Sequence, residues 1–173
     1  MGMSVYTLPG QMLSGDHARL EQLLVDCFQI AHHLETQGPA SSRLRENEAH
    51  AGVLAQLRAK WVELEEGLQN HFATEETFLF PQFRMVDMRE AMALQHEHQS
   101  LRGAMLEIGG GVGVNLARSA MATRFAELLA AHTRREEAMM LRWADANLPP
   151  QTVELVRSRL QRTFKGLTSV VVM

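Results

Sequence analysis

Two histidine–glutamate pairs stand out in this chain, which has eight histidines but one cysteine. His71 is followed four residues later by Glu75, and His132 is followed four residues later by Glu136. A histidine and a glutamate at this spacing lie one turn apart on the same helix face, so both side chains can reach one metal ion or two adjacent ions. With so little sulfur available, imidazole and carboxylate groups must carry any metal chemistry.

Two further histidines complete a repeated pattern. Asp16-His17 and Glu97-His98 each place an acid before a histidine, with a leucine three residues after it. The chain is therefore interpreted as two similar halves, each with one histidine followed by a His-x-x-x-Glu pair. Together they predict six metal ligands: His17, His71, Glu75, His98, His132 and Glu136.

Four imidazole nitrogens and two carboxylates are a balanced ligand set for two divalent or trivalent ions, with each glutamate bridging them. Two histidines, two bridging carboxylate oxygens and one solvent-derived bridge give each ion five ligands. We therefore expect one open position on each ion, where O2, peroxide or NO could bind.

The elements that carry these residues are expected to be helices, because isoleucine occurs only twice while good helix formers such as leucine, alanine and glutamate are plentiful. Ser14 is a plausible N-cap for the first helix, and Ser41 or Ser42 for the second. Glycine and proline punctuation then predicts five helices. Their expected ranges are about 14–37, about 42 to just before Pro81, about 87–109, about 115–148 and about 150–165.

Apolar residues at 3–4 spacing place every predicted ligand on the inward stripe of its helix. The second and fourth helices show this most clearly, with Leu54, Leu57, Trp61, Leu64, Leu68, His71, Glu75 and Phe78 in one and Met121, Phe125, Leu128, His132, Glu136, Met139 and Trp143 in the other. This predicts an all-α protein, with four long helices in a bundle and a short fifth helix at the C-terminus. One domain is expected over 1–173, with its bundle core at about 14–145.

Composition excludes several other classes of protein. Cys27 cannot form an internal disulfide or complete a cysteine-based zinc site, and it is expected to be a small core residue. The 17 basic and 20 acidic residues indicate neither nucleic acid nor an anionic membrane as a partner. No signal peptide or membrane-spanning stretch is apparent, so a cytoplasmic location is expected.

A single histidine in a core is more often a hydrogen-bonded structural residue than a ligand. Two unpaired carboxylates in the same core would be costly without a cation, however, which favours the metal site. The other four histidines are expected not to bind a metal: His32, His33, His50 and His96. Glu76 and Glu137 are either hydrogen-bonded to ligands or merely exposed.

These residues resemble the hemerythrin-like, HHE cation-binding domain. The resemblance rests on Asp16-His17, the run from His71 to Pro81, Glu97-His98-x-x-Leu101, and His132-x-x-x-Glu136-Glu137, over about residues 14–145. It implies an antiparallel up-down four-helix bundle around two non-haem iron ions with an oxo or hydroxo bridge. It also implies the same six ligands.

The ligand set is closer to one branch of that family than to another. Oxygen-carrying hemerythrins have a fifth histidine four residues from the one on the third helix, where this chain has Leu94 and Arg102 on either side of His98. Their last carboxylate is an aspartate five residues after the histidine, whereas Glu136 follows His132 by four. Four histidines with two glutamates are more similar to the di-iron domain of the Repair of Iron Centres proteins.

Three functions are therefore considered. The first is a di-iron protein that binds or senses O2 or NO in oxidative or nitrosative stress, which makes a metal- and gas-binding protein more plausible than an enzyme. The second is an enzyme that processes peroxide or NO or repairs iron centres, although no flavin or nicotinamide fingerprint is present. The third is a metal-free bundle used for interaction or regulation. A ferritin-like oxidase and a zinc hydrolase are disfavoured, because Glu-x-x-His pairs and His-Glu-x-x-His are lacking.

Overall fold

A computed structural model describes residues 8–36, 44–112 and 119–168. The helices in these ranges are α1 (Pro9–Thr36), α2 (Leu44–Phe78), α3 (Phe80–Phe83), α4 (Met88–Gly109), α5 (Ser119–Ala138), α6 (Met140–Asn147) and α7 (Pro150–Thr168). No strand occurs within the described ranges, so the expected all-α class is confirmed. None of the helices described is both long and apolar enough to cross a membrane.

Three of the predicted helix starts can be compared with the structure, and α7 begins at Pro150 as expected. Asp87 caps α4, its side chain accepting a hydrogen bond of 2.9 Å from the backbone N–H of Glu90, which agrees with the expected start. The expected cap at Ser14 is wrong, because α1 already begins at Pro9, a residue suited to the first turn of a helix. The caps expected at Ser41 or Ser42, and the start near 115, lie outside the described residues.

Both helices that carry a His-x-x-x-Glu pair break just after the glutamate. Helix α2 ends at Phe78, and α3 follows with Pro81 in its first turn, where the missing N–H of proline costs nothing. The fourth predicted helix is not continuous, because at Met139 the backbone departs from helical geometry (φ −126°, ψ −71°). Met139 is consequently 43% exposed rather than on the inward stripe, while Met140 is buried in its place.

The four long helices pack as a closed ring in the order α1, α2, α4, α5, with α5 returning to α1. His17 lies near the start of α1 and His71 near the end of α2, yet their side chains meet, so these neighbours run antiparallel. This is the expected four-helix bundle. The C-terminal helix, α7, packs against α2 and α1. The short helix α6 packs against α1 and α5.

A polar layer divides the apolar interior into two parts. The larger part, the main core, contains Trp61, Phe72 and Phe125 together with the buried Cys27. The smaller part, the end core, is formed largely by residues after the helix breaks and by α7, and contains Leu13, Leu79, Phe80, Phe83, Ala91, Leu94, Met140, Leu141, Ala144, Val156 and Leu160. The six predicted ligands lie between these two cores, so both sides of the layer are sealed by packed apolar side chains.

Candidate metal centre

All six predicted ligands meet in the polar layer, and each side chain comes from one of the four long helices. Every one of them is at most 3% exposed: His17, His71, Glu75, His98, His132 and Glu136. The 3.6-residue period explains this arrangement, since a histidine and a glutamate four apart on α2, or on α5, point to the same side of their helix. Whether they bind a metal is a proposal made below.

Each glutamate lies between histidines of both halves. Glu75 has one carboxylate oxygen 3.4 Å from His71 Nε2 and the other 3.3 Å from His98 Nε2. Glu136 has Oε2 3.3 Å from His17 Nε2, and its Oε1 lies 3.1 Å from His132 Nε2 and 3.6 Å from His98 Nε2. Both carboxylates are thus placed where they could bridge two ions.

The donor atoms form two overlapping groups that share the glutamates. One group contains His17 and His71 with Glu75 and Glu136, and the other contains His98 and His132 with the same two glutamates. Within each group the potential ligand atoms all lie within 4.8 Å of one another. We call the first group the α1–α2 half and the second the α4–α5 half.

The inner atoms of this layer are largely without hydrogen-bond partners. Both carboxylate oxygens of Glu75 and of Glu136, and the Nε2 atoms of His98 and His132, are buried and have none among the described residues. A buried carboxylate with no donor is strongly unfavourable, unless a cation compensates for it. The donor set therefore fits metal ions, with nitrogen and oxygen ligands of the kind that iron accepts.

A second layer of carboxylates holds the four imidazoles from outside. The Nδ1–H groups donate to Glu137 (3.1 Å, from His17), Asp16 (3.0 Å, from His71), Glu76 (2.8 Å, from His98) and Glu97 (3.0 Å, from His132). Each bond places a proton on Nδ1 and directs Nε2 inward, and such partners orient metal-binding histidines. The inward Nε2 atoms of His17 and His71 lie 2.9 Å from each other. The outer acids are neighbours of ligands in the sequence, so the two halves repeat the same scheme.

Arginines form a third layer around part of this set. Arg102 makes a two-pronged ion pair with Glu76 at 2.7 and 3.1 Å, and it lies 5.3 Å from the centre of the Phe72 ring. Arg135 bonds to Glu97 at 2.7 Å and also pairs with Glu90. These ion pairs hold in place the carboxylates that orient His98 and His132.

The negative charge of the layer changes the acidity of its histidines. Burial by itself would lower the pKa of His71, but Glu75 and Asp16 outweigh this and hold the pKa well above its usual value. For His98, the surrounding carboxylates, with Glu136 and Glu75 foremost, overcome burial and raise the pKa to about 10. The pKa of His132 is raised for the same reason, chiefly by Glu136. The layer thus attracts positive charge, whether from protons or from metal ions.

The pKa values of two glutamates are shifted in the opposite direction, downward. Although burial opposes it, the positive charge of His132 and of the other nearby imidazoles holds the pKa of Glu136 well below its usual range. Hydrogen bonds from His98 and from Arg102 lower the pKa of Glu76 to about 2. Both carboxylates are therefore ionised at neutral pH and available as ligands or as ligand partners.

The remaining histidines lie away from this layer, as expected. His32, His33 and His96 are exposed and His50 is partly exposed. Glu76 and Glu137 were expected either to be hydrogen-bonded to ligands or to be merely exposed. Both accept a hydrogen bond from a predicted ligand, so the first alternative is correct.

The outer roles of Asp16, Glu97, Arg102 and Arg135 were not predicted. A signal for the two acids was present, namely the repeated acid–histidine dipeptide. The sequence contains no such signal for Arg102 and Arg135, because their partners lie on other helices.

In a comparison with protein families, the model described as the hemerythrin HHE cation-binding domain matches residues 9–144. No curated protein matches the chain. No solved structure matches it either. The matched range contains all six inner side chains and all four outer carboxylates.

Proposed function

The chain belongs to the hemerythrin HHE cation-binding domain family, and we propose that it is a non-haem di-iron protein that binds or senses O2 or NO under oxidative or nitrosative stress. The observation that carries the proposal is the pair of fully buried glutamates, Glu75 and Glu136, whose four oxygens have no hydrogen-bond partner in the described chain. Each lies against histidines of both halves. Two cations between these groups would satisfy every one of these atoms.

One ion would be held by His17 and His71 and the other by His98 and His132, with both glutamates shared. Four neutral imidazoles and two carboxylates leave a site that is neither as oxygen-rich as a magnesium or calcium site nor as sulfur-rich as an iron–sulfur site. When bound, iron in this set would supply redox chemistry and an open coordination position for a small ligand.

The protein's own contribution is to hold the donors in place and to keep water away. The outer carboxylates fix the four imidazole tautomers. Phe72 stacks on the ring of His98 with 4.2 Å between ring centres, and Phe80 covers its other side at 5.0 Å. The apolar main core adjoins the layer at Leu20, Leu68 and Leu129, which favours an uncharged diatomic ligand over an ionic one.

The test is to load the protein anaerobically with Fe(II) and add NO. An iron–nitrosyl absorption band and electron paramagnetic resonance signal should form, and the same mixture made with Glu75→Gln should lack them. Iron-loaded protein that shows no spectral change with NO, and none on exposure to O2, would contradict the gas-binding function. Protein that retains no iron would instead favour the metal-free bundle.

A further inference from the structure

The four outer carboxylates differ in how they meet solvent. Three of them have an arginine partner: Arg19 lies 3.4 Å from Asp16, Arg102 pairs with Glu76, and Arg135 pairs with Glu97. Glu137 pairs only with His17, and within the described chain it makes no ion pair with an arginine or lysine. Its side chain is 45% exposed, against 5% for Asp16, 28% for Glu76 and 30% for Glu97.

The four imidazoles also differ in how closely aromatic rings pack against them. His98 is clamped between the rings of Phe72 and Phe80, and Phe72 also meets His132 edge-on at 5.9 Å. The ring of His17 stacks on no phenylalanine or tryptophan among the residues that the structure describes, and its ring neighbour is His71 at 4.6 Å. His17 is consequently the imidazole with the least restraint on rotating outward.

A surface hollow of about 370 Å³ is lined on one side by Glu137, the hydrogen-bond partner of this histidine. Its wall includes Glu137, Ser14 and Gly15, together with Asp145, Arg142 and three other residues. Asp145 accepts a hydrogen bond of 2.6 Å from the backbone N–H of Gly10, which fixes this wall. Gly15 contributes no side chain, and a Cβ built there would meet nothing within 4 Å.

From these observations we propose that the hollow is the route by which metal ions enter and leave the centre, with Glu137 as the carboxylate that first binds the incoming cation. The proposal rests on the metal centre proposed above. A hydrated divalent cation is attracted by Glu137 and Asp145, opposed in part by Arg142. Glu137 contacts Nδ1 of His17 at 3.1 Å, so the cation passes from Glu137 to the ligand atom Nε2 when the His17 ring rotates outward. The ion in the α1–α2 half therefore exchanges faster than the ion in the α4–α5 half.

The first test measures how fast metal-free protein takes up Co(II), followed by stopped-flow absorption of the bound ion. Glu137→Gln should lower the second-order rate constant about tenfold, as expected for loss of a steering charge. Glu76→Gln is the matched control, because Glu76 holds His98 as Glu137 holds His17 but lies behind Arg102. It should change the rate constant less than about twofold, although both variants weaken binding at equilibrium.

The second test blocks the hollow without touching either carboxylate. Gly15→Phe should slow uptake of Co(II) by about tenfold or more and leave the final Co(II) content unchanged. Gly52→Phe is its control, since Gly52 is also a helical glycine with open space around it but lies outside the hollow. Circular dichroism verifies that each variant folds.

Equal rate constants for Glu137→Gln, Glu76→Gln and the unaltered protein, with Gly15→Phe also unchanged, would overturn the route while leaving the metal centre intact. Failure of the unaltered protein to bind Co(II) or Fe(II) would instead overturn the proposed function. Slower uptake in both Glu137→Gln and Gly15→Phe, but in neither control, is the result that we expect.

Discussion

The α1–α2 half and the α4–α5 half of the polar layer contain the same kinds of inner side chains but differ in their surroundings. Each supplies two histidines to the same pair of glutamates, and each histidine donates to an outer carboxylate. The α4–α5 half is braced by Arg102, Arg135 and two phenylalanine rings, whereas Glu137 in the other half faces solvent. The inner symmetry suits two equivalent ions, and the outer asymmetry suits access from one side.

The largest expected effect comes from the shared glutamates, because each serves both halves. Glu75→Gln and Glu136→Gln should each abolish binding of both ions, lowering metal content from near two to near zero per chain. The amide cannot supply two anionic oxygens to bridging cations. Elemental analysis after anaerobic loading measures this, with the exposed Glu154→Gln as control. Retention of one ion in either variant would show that the halves do not share their ligands.

Acidity should affect the metal-free and metal-loaded proteins in opposite ways. In the metal-free protein the pKa values of His71, His98 and His132 are raised, so the stability that these three groups contribute is fully present below about pH 6.5. It is lost as pH rises from about 6.5 toward about 10, the pKa of His98. Metal needs deprotonated histidine, so the stabilisation by bound ions should increase over the same rise.

Urea unfolding at several pH values, with and without a chelator, measures both trends. The two profiles should coincide at low pH, where protons displace the ions, and diverge as the pH rises. Parallel pH profiles for the two forms would contradict the idea that protons and metal ions compete for the same imidazoles.

Removing the bracing arginine should make the two halves more alike. Arg102→Met exposes Glu76 and also removes the contact with Phe72, so the slower-exchanging ion should leave a few times faster and stability should fall by about 1 kcal/mol. Transfer of Co(II) to an excess of chelator measures the first effect, and thermal unfolding measures the second. An unchanged slow phase would show that the arginine does not protect this half.

The thiol of Cys27 reports on opening of the main core. Cys27 is fully buried, and burial, followed by the charge of Asp26, raises the pKa of its thiol to about 12. Its reaction with a thiol reagent at neutral pH therefore requires the core to open. We expect metal exchange at His17 to be at least about a hundred times faster than labelling of Cys27, because the hollow needs no such opening. Equal rates would mean that ions leave only when the bundle opens.

Much of this layer was predictable because helical period is local. The spacing of His71 from Glu75 and of His132 from Glu136 determines which side chains share a helix face, and buried Leu57 and Leu64 follow the same period. The end of the second helix was predictable from Pro81, but the break at Met139 was not, because no proline or glycine marks it and it depends on how Met140 packs in the end core.

The outer carboxylates and arginines also include features that the local sequence indicates and features that it does not. Asp16 and Glu97 could have been noticed from their position beside a histidine, but their acceptor role links different helices. Arg102 and Arg135 pair with carboxylates 26 and 38 residues away in the chain. No local pattern specifies such pairs, since they depend on the order in which the helices pack.

The most direct test of the central claim is the number of iron ions that one chain binds, measured together with the absorption spectrum of the oxidised protein. Anaerobic titration of metal-free protein with Fe(II) should end at two ions per chain, and oxidation should then give the absorption bands of an oxo- or hydroxo-bridged pair. A titration that ends at one ion per chain, or at none, would contradict a centre in which Glu75 and Glu136 join two ions.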